Sequence, residues 1–206
     1  MAAHGTGLRQ SMEKHSWKLF PTPVNYFKEV LSPEQLEAIC RHCLEAEAGQ
    51  HAAFIGGTKS SFSKSSRLLA ELEAGYPVLA GLTAGMSKLI NDYAGELGFK
   101  NLTIDNSWFN VQYPGSVLKH HVHPDSKVSA ALCIQADDKS SKLFLENPNP
   151  VLNFIRPDIP VESMFELARV PMLPGDLLLF PSWIKHGSGF EANESEARVM
   201  ISVNAH

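Results

Sequence analysis

Three histidines and a carboxylate fall within six residues at His120-His121-Val122-His123-Pro124-Asp125, straight after an apolar run of β character. Imidazole and carboxylate suit a divalent transition metal such as iron. Residues two apart in a strand point to one face, so His121 and His123 can converge on one ion. His123 and Asp125 share that spacing, although Pro124 favours the end of a strand there. Far downstream, Gly175-Asp176-Leu177-Leu178-Leu179-Phe180-Pro181-Ser182-Trp183-Ile184-Lys185-His186 supplies another histidine just after an apolar strand. Any one of these residues alone reads as a surface histidine on a turn. The full set reads as a metal site.

The elements that must position these residues come in two textures. The first half is helical. Ser32-Pro33-Glu34-Gln35 spells a helix start, with Ser32 as N-cap, Pro33 in the first turn and Gln35 closing a capping box. Leu36, Ile39, Cys40, Cys43 and Leu44 follow at helical spacing, and Gly49 is expected to end that helix. Leu68, Leu69 and Leu72 form a short helical turn. Val78, Leu79, Leu82, Met86, Leu89, Ile90, Tyr93 and Leu97 predict one long amphipathic helix stopping at Gly98. Ahead of the helices, Leu19 to Val24 is broken by two prolines and suits an edge strand. Residues 50–66 are rich in Gly, Ser, Thr and Lys and read as a mobile loop, a candidate lid. Gly56-Gly57-Thr58-Lys59-Ser60-Ser61 lacks the first glycine of a phosphate-binding loop, and no apolar strand leads into it.

From Asn101 onward the chain reads as strands and turns. Candidate strands are 102–113, 116–122, 127–135, 142–146, 166–171, 176–180 and 197–204, punctuated by Pro114-Gly115, Asp137-Asp138, Asn147-Pro148-Asn149-Pro150 and Pro174-Gly175. Helices first and strands after predict an α+β arrangement, with helices backing one sheet of a β-sandwich or barrel. The expected organisation is a flexible segment 1–18, then a single domain 19–206 with helical support over 19–98 and a β core over 99–206.

Composition removes several classes. Of 206 residues, 19% are charged and 44% apolar, ordinary values for a globular domain. A net charge of -4 carries no basic footprint for nucleic acid. No apolar run approaches the roughly 20 residues of a membrane span, and Met1 to Lys18 holds no apolar signal core. Cys40, Cys43 and Cys133 are odd in number, against a disulfide framework. Cys40-Arg41-His42-Cys43 spells a redox or zinc pair, but it lies in a predicted helix with no second cysteine pair. The expectation is a cytoplasmic protein acting on a small molecule or peptide, with a homodimer left open.

The β half resembles the double-stranded β-helix, or jelly-roll, of iron(II)- and 2-oxoglutarate-dependent oxygenases. Those enzymes place His-X-Asp/Glu near one strand end, a distal His on a later strand and a basic residue beyond it. Here the order is His121-Val122-His123, then His186, then Arg198. More narrowly, the chain resembles a group of bacterial and phage oxygenases through Phe20-Pro21-Thr22-Pro23, His121 to Pro124, Pro174 to His186 and Arg198 to Asn204. The departure from the wider pattern is His123, which occupies the usual carboxylate position. Two registers stay open: His121, His123 and His186, or His123 and Asp125 with His186. Counting from Tyr113-Pro114-Gly115, the resemblance favours His121 as the opening ligand.

The resemblance implies iron(II) as metal, 2-oxoglutarate as cosubstrate, and hydroxylation with release of succinate and carbon dioxide. It implies that Arg198 clamps the far carboxylate of 2-oxoglutarate, a task that suits a planar guanidinium. The sequence agrees: Val199, Met200, Ile201 and Val203 mark an interior strand, where an unpaired arginine is costly. Alternation puts Ser202 on the same face as Arg198, and Tyr113 is a further candidate contact. Trp108, Phe180 and Trp183 read as core, and Glu146-Asn147-Pro148 as part of the mouth. Two other readings stand beside this one. The first is a cupin-like three-histidine dioxygenase without 2-oxoglutarate, and the second a non-catalytic jelly-roll binding protein.

Overall fold

A computed structural model describes residues 21–63, 66–149, 158–159, 161 and 164–206. The expected flexible segment 1–18 and the start of the proposed edge strand at Leu19 lie outside them. The described residues of that span, 21–24, are not in a strand; the first described strand, β1 (Asn25–Phe27), follows them at the edge of a sheet. Next comes α1 (Pro33–Glu45), opened by the full capping box: the Gln35 backbone donates to the Ser32 side chain and Ser32 N–H donates to the Gln35 side chain. The helix stops short of Gly49, with Ala46 turning to extended backbone. Gly49 instead bridges Ser60.

Residues 50–66 correct the loop expectation. They contain β2 (Phe54–Ile55) and β3 (Thr58–Ser60), both paired with later strands. Gly56 turns the chain between them at φ +84°, where a Cβ would sit 2.6 Å from the Gly115 carbonyl oxygen. The long helix expected over 78–97 is also interrupted. After α2 (Leu68–Gly75), a 3-10 turn covers Pro77–Leu79, and α3 runs Leu82–Glu96. Ala80 is extended and Gly81 left-handed (φ 84°) between the two pieces. Leu79 of the first piece and Met86 and Ile90 of the second join one apolar core, so the apolar spacing continues across the break.

The strands are β4 (Ile104–Gln112), β5 (Val117–Leu118), β6 (Val128–Gln135), β7 (Leu143–Glu146), β8 (Leu167–Val170), β9 (Leu177–Pro181), β10 (His186–Gly187) and β11 (Arg198–Ala205). They agree with the sequence-based spans closely, apart from the short β5 and from β10, where no strand was expected. A six-stranded antiparallel sheet has the order β1-β9-β6-β11-β4-β3, and a smaller one the order β10-β7-β8. Strand alternation then sorts the side chains. Val199, Ile201 and Val203 of β11, with Phe109 and Val111 of β4, pack against Ile39, Leu69, Leu72 and Ile90 of the helices. The other face of the large sheet turns inward, where Leu178, Phe180 and Met200 meet Leu143 and Leu145 of the small sheet. A one-residue slip of β11 would send Arg198 to the helix side and Val199 into the interior, so the apolar pattern fixes the register. Among the described residues, no helix is long and apolar enough to cross a membrane.

Candidate metal centre

The inner cavity between the sheets collects polar groups onto a largely apolar lining. From the small-sheet side come His121 and His186, joined by an isolated antiparallel bridge that extends the pairing past β10. His123 follows, its backbone N–H bonded to the Ser182 carbonyl at 3.0 Å. Ligand atoms of His121, His123 and His186 all lie within 4.8 Å of one another. The paired backbones thus hold the three rings on one side of the cavity, close enough for one ion to bind all of them after small ring rotations.

The tautomers follow from the backbone. His121 Nδ1 lies 2.8 Å from the Lys119 carbonyl, and His186 Nδ1 lies 2.9 Å from the Ile184 carbonyl. A carbonyl only accepts, so each neutral ring carries its proton on Nδ1 and leaves the Nε2 lone pair free. Burial first, and the neighbouring imidazoles second, hold the rings neutral. The His186 pKa is lowered to about 3 and that of His123 to about 4, and His121 is lowered as well. Neutral imidazoles converging without a hydrogen bond among them are the protonation state a transition metal requires.

Asp125 is not brought to this cluster. It is exposed on the turn after His123. His120 faces elsewhere: its Nε2 accepts from Gly189 N–H at 2.9 Å, and its Nδ1 bonds to Glu146. Glu146 also pairs with Lys185 at 3.2 Å, and these three residues line a second cavity with Asn147, Pro148 and Trp183. Glu146-Asn147-Pro148 therefore opens on that cavity, with His120, and does not line the inner cavity that holds His121, His123 and His186. Trp183, expected in the core, is half exposed, whereas Trp108 and Phe180 are buried and line the inner cavity.

The large sheet supplies the opposite wall. Arg198, Met200 and Ser202 all line the inner cavity, as alternation predicts. Arg198 is 5% exposed, and among the described residues it makes no ion pair. Its side-chain partner is Gln112, directly opposite on β4. Burial pulls the Arg198 pKa down, although a guanidinium keeps its charge at neutral pH. Ser202 accepts from Asn110 Nδ2 at 3.3 Å. Tyr113 is absent from this wall, because it lies one residue past β4 and is exposed at the surface.

Gln112 and His51 are among the cavity residues that escaped the sequence reading. Gln112 sits four residues beyond Trp108 on the same face of β4, so alternation along the expected strand 102–113 could have found it. His51 enters from the 50–66 segment and lines the cavity, its ring 4.1 Å from that of Phe62. Nothing local marks it, since its place depends on β3 joining the large sheet.

The described chain resembles several solved structures. A prolyl-4-hydroxylase from Pseudomonas putida matches at 16% identity and TM-score 0.61, over 90% of this chain and 92% of that one. HygX from Streptomyces hygroscopicus, solved with nickel, 2-oxoglutarate and hygromycin B, matches at 15% and 0.56, over 89% and 82%. A prolyl hydroxylase from Trichoplax adhaerens, bound to a hypoxia inducible factor peptide fragment, matches at 16% and 0.61, over 88% and 82%. At these identities the likeness is one of fold. The sequence matches no curated protein. Residues 106–204, which hold all three clustered histidines, Gln112 and Arg198, match the family described as "Putative 2OG-Fe(II) oxygenase". These residues, just under half of the chain, are thus similar to the 2OG-Fe(II) oxygenases.

Proposed function

We propose that His121, His123 and His186 hold one iron(II), that Arg198 receives the distal carboxylate of 2-oxoglutarate, and that the enzyme hydroxylates a C–H bond of a small molecule or peptide. The observation that carries this reading is Arg198: a buried cation without an anionic partner among the described residues, in the same cavity as three neutral histidines. A cation so placed is costly unless a ligand brings the opposite charge. We read the two facing sheets as a double-stranded β-helix, with residues 19–98 as its support and 99–206 as its core. The free Cys40, Cys43 and Cys133 suit a reducing, cytoplasmic setting.

The residues present fit the metal in donor chemistry. Bound iron(II) would supply dioxygen activation, coupling decarboxylation of 2-oxoglutarate to succinate with oxygen insertion into substrate. The protein's own tasks are narrower. Lys119 and Ile184 carbonyls fix the His121 and His186 rings with Nε2 inward. Three neutral imidazoles would leave the metal its full charge, of which the chelating carboxylate of the dianionic cosubstrate would offset one unit, so the site would carry one more positive charge than the usual facial triad. Arg198 neutralises the far end of that dianion. Phe180, Leu143 and Met200 keep the cavity between the two ends apolar, which strengthens the charge contacts.

The donor set itself favours a second reading, because three histidines without a carboxylate also suit a cupin-like dioxygenase whose substrate chelates the metal. Such an enzyme has no need of Arg198. Anaerobic loading with iron(II), with and without 2-oxoglutarate, separates the two by visible absorption. A weak charge-transfer band that appears only with 2-oxoglutarate supports the first reading. Its absence in iron-loaded protein leaves the cupin-like reading ahead, and failure to hold metal leaves the non-catalytic one.

A further inference from the structure

Gln112 is 1% exposed and lines the inner cavity beside Arg198. The two are Cα partners across the β4–β11 ladder, so their side chains leave the sheet on the same face. Arg198 Nη1 donates to the Gln112 side-chain oxygen. Arginine has only donors to offer, so this contact fixes which end of the amide is oxygen and which is nitrogen. The nitrogen is left over. Gln112 Nε2 is buried and has no hydrogen-bond partner among the described residues. The neighbour on its other side does not serve it, since Thr58, paired with Gln112 across β3, engages Ser116 Oγ at 2.8 Å. A buried amide N–H₂ without an acceptor is rare and unfavourable in a folded protein. Beside an unpaired guanidinium it forms a surface of donors alone, and the matching ligand group is an anion with several acceptor positions.

We infer that Gln112 is a second binding residue for the cosubstrate: its Nε2 donates to the distal carboxylate of 2-oxoglutarate while its oxygen holds the Arg198 guanidinium in place. This rests on the reading of 2-oxoglutarate as cosubstrate. It assigns the carboxylate one partner on each of two neighbouring strands. An isosteric Glu at this position would reverse the effect, closing an ion pair with Arg198 and filling the site from within.

The test uses the full chain, labelled with nitrogen-15 and loaded with zinc(II) as a redox-inert stand-in. Gln112→Met removes one pair of side-chain amide signals and thereby identifies them. Adding 2-oxoglutarate to wild type should move that pair downfield, while pyruvate, which lacks the distal carboxylate, should leave it in place. Calorimetric titration should show about 10- to 100-fold weaker 2-oxoglutarate binding in Gln112→Met, at unchanged zinc content, as expected for one lost hydrogen bond to a charged group. Should that variant fail to fold, Gln112→Glu preserves shape and must weaken binding at least as much. Amide signals that ignore 2-oxoglutarate, or equal affinity in either variant, overturn the proposal. Arg198→Met is the control for the underlying reading: if it weakens binding while the Gln112 variants do not, only Gln112 is wrong. If neither residue matters, 2-oxoglutarate does not bind here at all.

Discussion

His121 and His186 exchange both main-chain hydrogen bonds, at 2.9 and 3.0 Å, and each ring is also tied to the carbonyl two residues before it. The two segments lie 65 positions apart in sequence, yet this pairing brings the two ring centroids within 4.4 Å of each other. A directly bonded antiparallel pair spaces its Cα atoms by about 5.5 Å, close enough for two rings on the same face to meet at one ion.

Metal binding should therefore collapse when either partner is lost. His186→Ala and His121→Ala are expected to lose nearly all iron in metal analysis of anaerobically loaded protein, because the remaining groups cannot close the site. Asp125→Ala should keep full iron content, since Asp125 is exposed on the turn outside the cluster. Iron lost from Asp125→Ala but retained in His121→Ala would reinstate the His123-Asp125 register.

Gly187 protects the pairing. A Cβ there would lie 2.3 Å from the His120 ring and 2.8 Å from the Leu118 carbonyl oxygen. Gly187→Ala must push β10 away from residues 118–121, so iron affinity should fall even though no ligand is changed. The overpacking should also cost about 1–3 kcal/mol of stability. Equal iron affinity in wild type and Gly187→Ala would show that the two segments can separate freely.

Arg198 makes opposite predictions for the empty and the ligand-bound protein. Replacing a buried, unpaired cation with an apolar side chain relieves desolvation, so Arg198→Met should melt no lower than wild type in the absence of ligand. With iron(II) bound, truncation of a charge-assisted pair is worth about 2–5 kcal/mol, or on the order of 30- to several-thousand-fold in 2-oxoglutarate affinity. Arg198→Lys should recover part of that, because the charge returns without the fork. Tyr113→Phe, at an exposed position, should leave the titration of the charge-transfer band unchanged.

Acid should destabilise the metal-free protein. The folded pKa values of His186 and His123 are lowered to about 3 and about 4, against about 6.5 in an unfolded chain. Between those values the unfolded chain binds more protons, so stability is fully present above about pH 6.5 and is lost as pH falls toward 4. Each histidine contributes up to about 1.4 kcal/mol per pH unit in that window. Melting of chelator-treated protein between pH 8 and 4.5 should show the slope, and His123→Gln with His186→Gln should flatten it. An equal slope in that double variant would mean that other groups carry the acid sensitivity.

What the sequence by itself determined follows from local periodicity and residue type. The capping box at Ser32, the alternation along β4 and β11, the histidines two apart and the apolar run before His186 are each written within a few residues, because helix and strand repeats are local. The same alternation placed Arg198 and Ser202 on one face. Tertiary structure alone decided the rest. Residues 50–66 look like a loop because β2 and β3 are too short to show a period, and only their partners β5 and β4 make them strands. The split at Gly81 is hidden because both flanking pieces bury their apolar residues in the same core. That His121 lines the cavity and Asp125 does not depends on which side of Pro124 faces inward, and that is set by pairing with residues 182 and 186. Gln112 acquires its meaning only opposite Arg198, since an amide becomes a partnerless donor only where the fold buries it beside a cation.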